Sequence, residues 1–285
     1  MLLHKHQFEA LGTAWSIDTQ SLLPDRLLAK IHTEIDDFDH TYSRFRADSL
    51  VTQIAKAAGE YALPSNADTL LDFYKVLYDQ TAGKVTPLIG ATLERAGYDA
   101  LYSFEPKAQR PLPGWDDTIR REGLRLYTTQ PIMLDVGAAG KGYLVDIVSR
   151  TLDDASIDNY VIDASGDLRH KGTMQNRVGL EHPFDPKKII GTVEVQNESL
   201  AASAVNRRRW GDNLHHIFDP DTQTPTTNII ATWVVAKETL MADGLATALF
   251  FVEPTKFSDI YDFQYVRIDS NGHIDYSHDF KGELF

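Results

Sequence analysis

Apolar residues recur along this chain at two spacings. Leu27, Leu28, Ile31, Ile35 and Phe38 fall on one face of a 3.6-residue repeat and predict a helix from about 25 to 40. After the polar start Ser65-Asn-Ala-Asp68, the residues Leu70, Phe73, Tyr74 and Leu77 repeat that spacing in a second helix. A third opens near Gly142 with Leu144, Ile147, Val148 and Leu152, and a fourth is predicted near 239–250. Strand-like stretches lie at 7–18 (Phe8, Leu11, Trp15, Ile17), 160–163, 177–181, 189–196 and 229–236. Tyr265-Val-Arg-Ile268 and His273-Ile-Asp-Tyr276 flank the turn Asp269-Ser-Asn-Gly272 and predict a hairpin. Many strands follow one another with no helix between them, which predicts an α+β fold rather than a doubly wound parallel sheet. No internal repeat, low-complexity tract or linker divides the chain, so the expectation is one domain over 1–285.

Charge and composition narrow the classes of function. The net charge of −13 argues against a nucleic-acid partner, because affinity for phosphate backbones comes from clustered Lys and Arg. The one basic run, Arg207-Arg-Arg209, is too short to reverse that. With no cysteine, disulfides, thiolate catalysis and Cys-ligated clusters are excluded. No run of about 18 apolar residues is present, so no transmembrane segment is predicted. Met1-Leu-Leu-His-Lys-His lacks the apolar region of a secretory signal, and the expected location is cytoplasmic.

Two short motifs carry the candidate chemistry. In Ala242-Asp-Gly-Leu-Ala-Thr-Ala-Leu249, Asp243 and Thr247 stand at i and i+4 and project from one helix face. A carboxylate and a hydroxyl so placed are hard oxygen ligands for one magnesium ion. Asp135-Val-Gly-Ala-Ala-Gly-Lys-Gly142 is a glycine-rich turn between the strand-like 132–136 and a helix, a place where backbone groups approach a phosphate and its metal. It is not a P-loop: the spacing in Gly137-Ala-Ala-Gly-Lys-Gly142 is wrong and no hydroxyl follows the lysine. It does not match the dinucleotide fingerprint Gly-x-Gly-x-x-Gly either. Taken singly, the turn is more often plain chain geometry than a ligand cradle, and the Asp243–Thr247 pair is weaker still, since Asp243 alone reads as a solvated or capping residue.

Three further segments change that balance. They are Glu9-Ala-Leu-Gly-Thr-Ala-Trp15, the Ser165-Gly-Asp167 turn after Asn159-Tyr-Val-Ile-Asp163, and His215-His-Ile-Phe-Asp-Pro-Asp-Thr222. With them the chain resembles the ApbE family, the FAD:protein FMN transferases, with the family's motifs in order over about residues 8–252. The resemblance implies T-fold-like antiparallel sheets packed with helices. It implies transfer of FMN from FAD to a Ser or Thr hydroxyl of an acceptor flavoprotein bearing Asp-Gly-x-Ser/Thr-Gly-Ala-Ser/Thr, with Mg2+ as cofactor and AMP as product. Carried over position by position, it puts Leu11, Tyr42, Lys84, Val85, Thr86, Asp135, Lys141 and Phe218 at the flavin nucleotide. The metal falls to Asp243, Thr247 and the main-chain carbonyl of Ala138. His216 matches the histidine of His-x-x-Asp-Pro; it is either the base that takes the hydroxyl proton or a scaffold for the Asp219-Pro220 turn.

The departures are specific. Ala202-Ser-Ala204 replaces Thr-Ser-Gly, Thr222-Gln223 replaces Thr-Gly, and Ser165-Gly166 replaces a double glycine. Thr86 stands where Phe-Asp-Pro often has its Asp, and the usual lipoprotein signal is missing from the chain as given. They leave two alternatives: Mg-dependent hydrolysis of FAD to FMN and AMP, or a non-catalytic FAD-binding module.

Overall fold

The structure, a computed structural model, describes residues 2, 4–211 and 214–285. In chain order the strands begin with β1 (His4–Ala10), β2 (Thr13–Thr19), β3 (Gly59–Ala62), β4 (Ile119–Glu122) and β5 (Arg125–Thr128). They continue with β6 (Tyr160–Asp163), β7 (Asp167–Lys171), β8 (Asn176–His182), β9 (Asp185–Val195) and β10 (Ser199–Ala204). Four two-residue strands follow: β11 (Arg209–Trp210), β12 (Leu214–His215), β13 (Phe218–Asp219) and β14 (Thr224–Pro225). The last are β15 (Ile229–Ala236), β16 (Phe263–Asp269), β17 (Ile274–Tyr276) and β18 (Gly282–Leu284). The helices are α1 (Asp25–Tyr42), α2 (Leu50–Ile54), α3 (Ala67–Gln80), α4 (Gly90–Arg95), α5 (Trp115–Thr118), α6 (Gly140–Asp154), α7 (Thr239–Ala248) and α8 (Thr255–Ser258). Every strand pairing is antiparallel, so the fold is α+β, as the succession of strands predicts.

The chain forms two compact units, and its course passes from one to the other and back. The first comprises Met1–Ile35, Ala139–Asn206 and Thr227–Phe285. Its main sheet has eight strands in the order β1-β2-β6-β7-β10-β15-β16-β17. A smaller sheet, β18-β9-β8, packs on it through Leu180, Ile190, Val193 and Val195, which meet Leu200, Trp233, Val235, Val266 and Ile268. The helices α6 and α7 lie against the same main sheet, with the Thr232 hydroxyl of β15 donating to the Ala246 carbonyl of α7 at 2.6 Å. β15 is thus covered on both faces, the reason Ile229–Ala236 reads as an apolar run broken only by Thr232 instead of an alternating one.

One sequence expectation is corrected here. The stretch 7–18 is not one strand but the hairpin β1–β2, turning at Leu11 (φ 50°) and Gly12 (φ 70°). Both central residues lie in the left-handed region, the geometry of a two-residue turn that matches strand twist. Leu11 made the apolar pattern look continuous, and Gly12 is the break.

The second unit comprises Asp36–Ala138 and Arg207–Thr226. It holds the sheet β3-β5-β4 and the two-stranded ladders β11-β12 and β13-β14. Leu93, Ala96, Tyr98, Trp210 and Phe218 form one of its cores, with Phe45, Ile89 and Leu214 packed against them.

Candidate functional site

In the first unit the site is built where α6 and α7 begin. Gly142 sits two residues into α6, and its amide donates to Asp243 Oδ2 of α7 at 2.9 Å. A Cβ on residue 142 would lie 2.7 Å from the Cβ of Asp243 and closer still to the Thr239 carbonyl oxygen, so the helices approach this closely only over a glycine. Asp243 is 6% exposed and Thr247 follows it by one turn of the same helix. The pair has the hard-oxygen chemistry that magnesium takes. Among the described residues no three His, Asp or Glu side chains gather as a metal-binding group. A cation at Asp243 would therefore depend on that carboxylate plus neutral oxygens, and a hydroxyl one turn away and a main-chain carbonyl fit this requirement.

Lys141 is engaged nearby. Its ammonium donates to the carbonyls of Ala164 (2.9 Å) and Ser165 (3.2 Å) and pairs with Asp167 at 3.1 Å. Asp167 is 1% exposed, so the lysine compensates a buried carboxylate and ties the glycine turn to the Ser165-Gly166-Asp167 turn. That turn needs left-handed backbone at Ser165 (φ 58°) and Gly166 (φ 112°), and the Ser165 hydroxyl donates to the Ala14 carbonyl of β2 at 2.7 Å. Leu11, expected against the flavin, stands half-buried at the tip of the β1–β2 hairpin.

The second unit holds the other residues that the resemblance assigns. Asp135 pairs with Arg44 Nε at 2.6 Å and accepts the Gly137 amide at 2.7 Å. Burial raises this carboxyl, but the Arg44 guanidinium and the Gly137 amide outweigh it and hold Asp135 below the usual carboxylate range. Arg44 is 3% exposed, lies over the rings of Phe45 (4.2 Å) and Tyr98 (4.9 Å), and donates to the Tyr98 carbonyl at 2.6 Å. The Ala138 amide donates to the Tyr74 hydroxyl at 3.1 Å. Lys84 is held by Asp219 (2.7 Å) and Asp221 (2.7 Å), which fastens it to the Asp219-Pro220 turn. Beside that turn, Phe218 is buried and stacks on Trp210 with an interplanar angle of 6°. Val85 and Thr86 are both buried; the Thr86 hydroxyl accepts the Leu88 amide and caps the short turn Pro87–Ile89. Tyr42 is 7% exposed at the end of α1, its ring 4.8 Å from that of Phe38, so it packs in the interior of this unit.

His216 is corrected in one respect. Its Nδ1 lies 3.2 Å from the Arg207 carbonyl, which can only accept, so Nδ1 carries the proton and Nε2 the lone pair. Burial lowers its pKa most, Arg208 and His215 push the same way, and the imidazole falls to about 3. The ordinary imidazole value near 6.5 does not hold here, because burial beside Arg208 disfavours the imidazolium.

Two contributors were missed in the sequence. Asp146 accepts the amides of Thr239 and Leu240, and Arg44 sets Asp135. Arg44 stands 91 residues from Asp135 along the chain, and no local spacing betrays such a pair.

A sequence profile of the ApbE family matches residues 11–267. The FAD:protein FMN transferase of Vibrio cholerae is 27% identical over 237 residues, covering 79% of this chain and 71% of that protein. One from Treponema pallidum is 25% identical over 255 residues, covering 78% of this chain and 70% of that one. The structure of the flavin transferase ApbE of Vibrio cholerae superposes with a TM-score of 0.82 at 21% identity, covering 98% of both chains. The ApbE protein of Thermotoga maritima superposes with a TM-score of 0.84 at 20% identity, covering 96% of this chain and 97% of that one. At these identities the structural likeness speaks for the fold, while the profile spans nearly the whole sequence. The chain belongs to the ApbE family.

Proposed function

We propose that this protein is an FAD:protein FMN transferase that uses Mg2+ and joins FMN through a phosphoester to a Ser or Thr hydroxyl of an acceptor flavoprotein. The observation that carries the metal part is the buried Asp243 carboxylate, fixed by the Gly142 amide one turn before Thr247. The names of the relatives support the transferase part. In the reaction the acceptor oxygen bonds to the flavin-side phosphorus, the bond from that phosphorus to the bridging oxygen breaks, and AMP departs with that oxygen. The hydroxyl proton passes by way of water to the departing AMP phosphate, which balances the step. Magnesium held by Asp243, Thr247 and the Ala138 carbonyl would offset charge on the phosphate oxygens.

The chain's own residues position the parts. Asp243 is the one formal negative charge among the three metal ligands. Asp135, kept ionised by Arg44, and Lys141 belong to the glycine turn that the family resemblance assigns to FAD. Lys84, Val85, Thr86, Tyr42, Leu11 and Phe218 complete the flavin-nucleotide set by the same assignment. His216 serves by holding the Arg207 carbonyl, the scaffold role, because its low pKa makes it a weak base at neutral pH.

The test is incubation with FAD and Mg2+, with and without an acceptor domain carrying Asp-Gly-x-Ser/Thr-Gly-Ala-Ser/Thr, following AMP and in-gel flavin fluorescence. AMP and a fluorescent acceptor band only when the acceptor is present support transfer. AMP without acceptor would make the protein an FAD hydrolase, and bound FAD with no AMP a binding module. The described residues include no helix long and apolar enough to cross a membrane.

A further inference from the structure

Neither of the helices that begin at the metal-binding face caps itself. α6 starts after Ala139 and α7 after Glu238, and neither residue makes a side-chain capping hydrogen bond. The first amides of a helix have no partner inside it, and burying them unsatisfied is costly. Here each helix receives its cap from the other. Asp146 of α6 accepts the Thr239 amide at Oδ1 (2.9 Å) and the Leu240 amide at Oδ2 (2.8 Å) of α7. Asp243 of α7 accepts the Gly142 amide of α6 at 2.9 Å. Gly142 and Asp146 are one turn apart on α6, as Thr239 and Asp243 are on α7, so two carboxylates close a ring of four contact points. Three contacts then fix α7 and its entry: Ser199 Oγ with Thr239 Oγ1 at 2.9 Å, Thr232 Oγ1 with the Ala246 carbonyl, and the Arg169 guanidinium with the Lys237 carbonyl.

We infer that Asp146 is a positioning residue for the metal ligand Asp243, acting through this reciprocal clasp. The inference rests on the metal assignment under Proposed function. Asp243 has two tasks: one oxygen orients the carboxylate against the Gly142 amide, and the carboxylate serves the cation. Loss of the Asp146 contacts releases the start of α7, moves Asp243 away from Gly142, and so loosens a ligand on the facing helix. Outer partners that orient a ligand typically carry about 10–100-fold in metal affinity.

The test uses the full chain, with Mn2+ as the probe, titrated by its free-ion EPR signal in the presence of FAD. Asp146→Asn keeps the size of the side chain but turns an amide N–H toward one of the two α7 amides. It should weaken Mn2+ binding by about 10-fold or more. Amide exchange should quicken at Thr239 and Leu240, and also at Gly142, whose amide donates to Asp243. Ser149→Ala, on the same helix and bonded to Tyr160, should lower stability and leave Mn2+ affinity unchanged. In an Asp243→Asn background, Asp146→Asn should add no further loss, since coupled residues are not additive. Wild-type affinity in a cooperatively melting Asp146→Asn protein overturns the inference, as does a loss that simply adds to that of Asp243→Asn. If Asp146→Asn does not fold, Thr239→Val removes a hydroxyl shared between Ser199 and Asp146 and should weaken Mn2+ binding several-fold; no change there also overturns it. A wild-type chain that binds no Mn2+ defeats the metal assignment itself, a separate outcome, and protection of Gly142 by Asp146 then still reports on the clasp.

Discussion

Single residues differ in what they are asked to do at this site. In the proposed metal set, Asp243 brings the only formal charge. Asp243→Ala should weaken Mg2+ binding by more than the roughly 10–100-fold of an outer-shell change, while Thr247→Val, which removes a neutral ligand and keeps the shape, should do less. Full AMP release by Asp243→Ala at sub-millimolar Mg2+ would remove it from the site. For His216 the sign of the pH dependence follows from its depressed pKa. The unfolded chain protonates this imidazole near 6.5 and the folded one only near 3, so the fold loses stability as pH falls from about 6.5 toward 3. Urea titrations at pH 7 and pH 5 should therefore show a larger drop for the wild type than for His216→Asn. The rate of AMP release should show no limb near 6.5 that disappears in that variant; such a limb would restore His216 as the base. Tyr42, placed at the flavin by resemblance, is buried against Phe38, and Tyr42→Ala should cost about 3–5 kcal/mol of apo stability by chemical denaturation. Weakened FAD binding with unchanged apo stability would instead assign it to the ligand.

At the scale of elements, the crossing of α6 over α7 decides whether the two motifs meet. Gly142→Ala puts a methyl group where the Asp243 Cβ and the Thr239 carbonyl already lie. Overpacking of this kind costs about 1–3 kcal/mol, and it should also weaken metal binding because the Gly142–Asp243 hydrogen bond lengthens. Gly211→Ala is the control: a Cβ there meets nothing within 4 Å, and its cost is limited to the left-handed backbone at φ 54°. Loss of metal affinity in Gly211→Ala but not in Gly142→Ala would contradict this account of the crossing. The hydrophobic spacing foretold the existence of both helices, and of α1 and α3. It did not foretell that α6 and α7 exchange caps, because Asp146 and Thr239 are 93 residues apart and a capping search looks only a few residues along the chain.

For the molecule as a whole, a ligand that binds only the folded state stabilises it by mass action. FAD at about 100 times its dissociation constant adds roughly 2.7 kcal/mol, a rise of several degrees in melting temperature for a chain of this length. The increment should need Mg2+ and vanish with EDTA. An equal rise with EDTA present would mean that FAD is held without the cation. The acidic net charge of −13 is no obstacle to a phosphate-bearing ligand, since local groups at the glycine turn, not the overall charge, set that affinity.

The sequence by itself determined the α+β class, the long helices, the glycine turn, the Asp243–Thr247 pair and the family, because each is written in short-range spacing or in motif order. Tertiary structure alone decided that Leu11 turns a hairpin, that Lys84 is held by two aspartates, that Arg44 keeps Asp135 charged and that Asp146 holds α7. It also placed His216 where burial and Arg208 lower its pKa. These are long-range pairings and burial effects, and a carboxylate or an imidazole acquires them only from neighbours that folding brings to it.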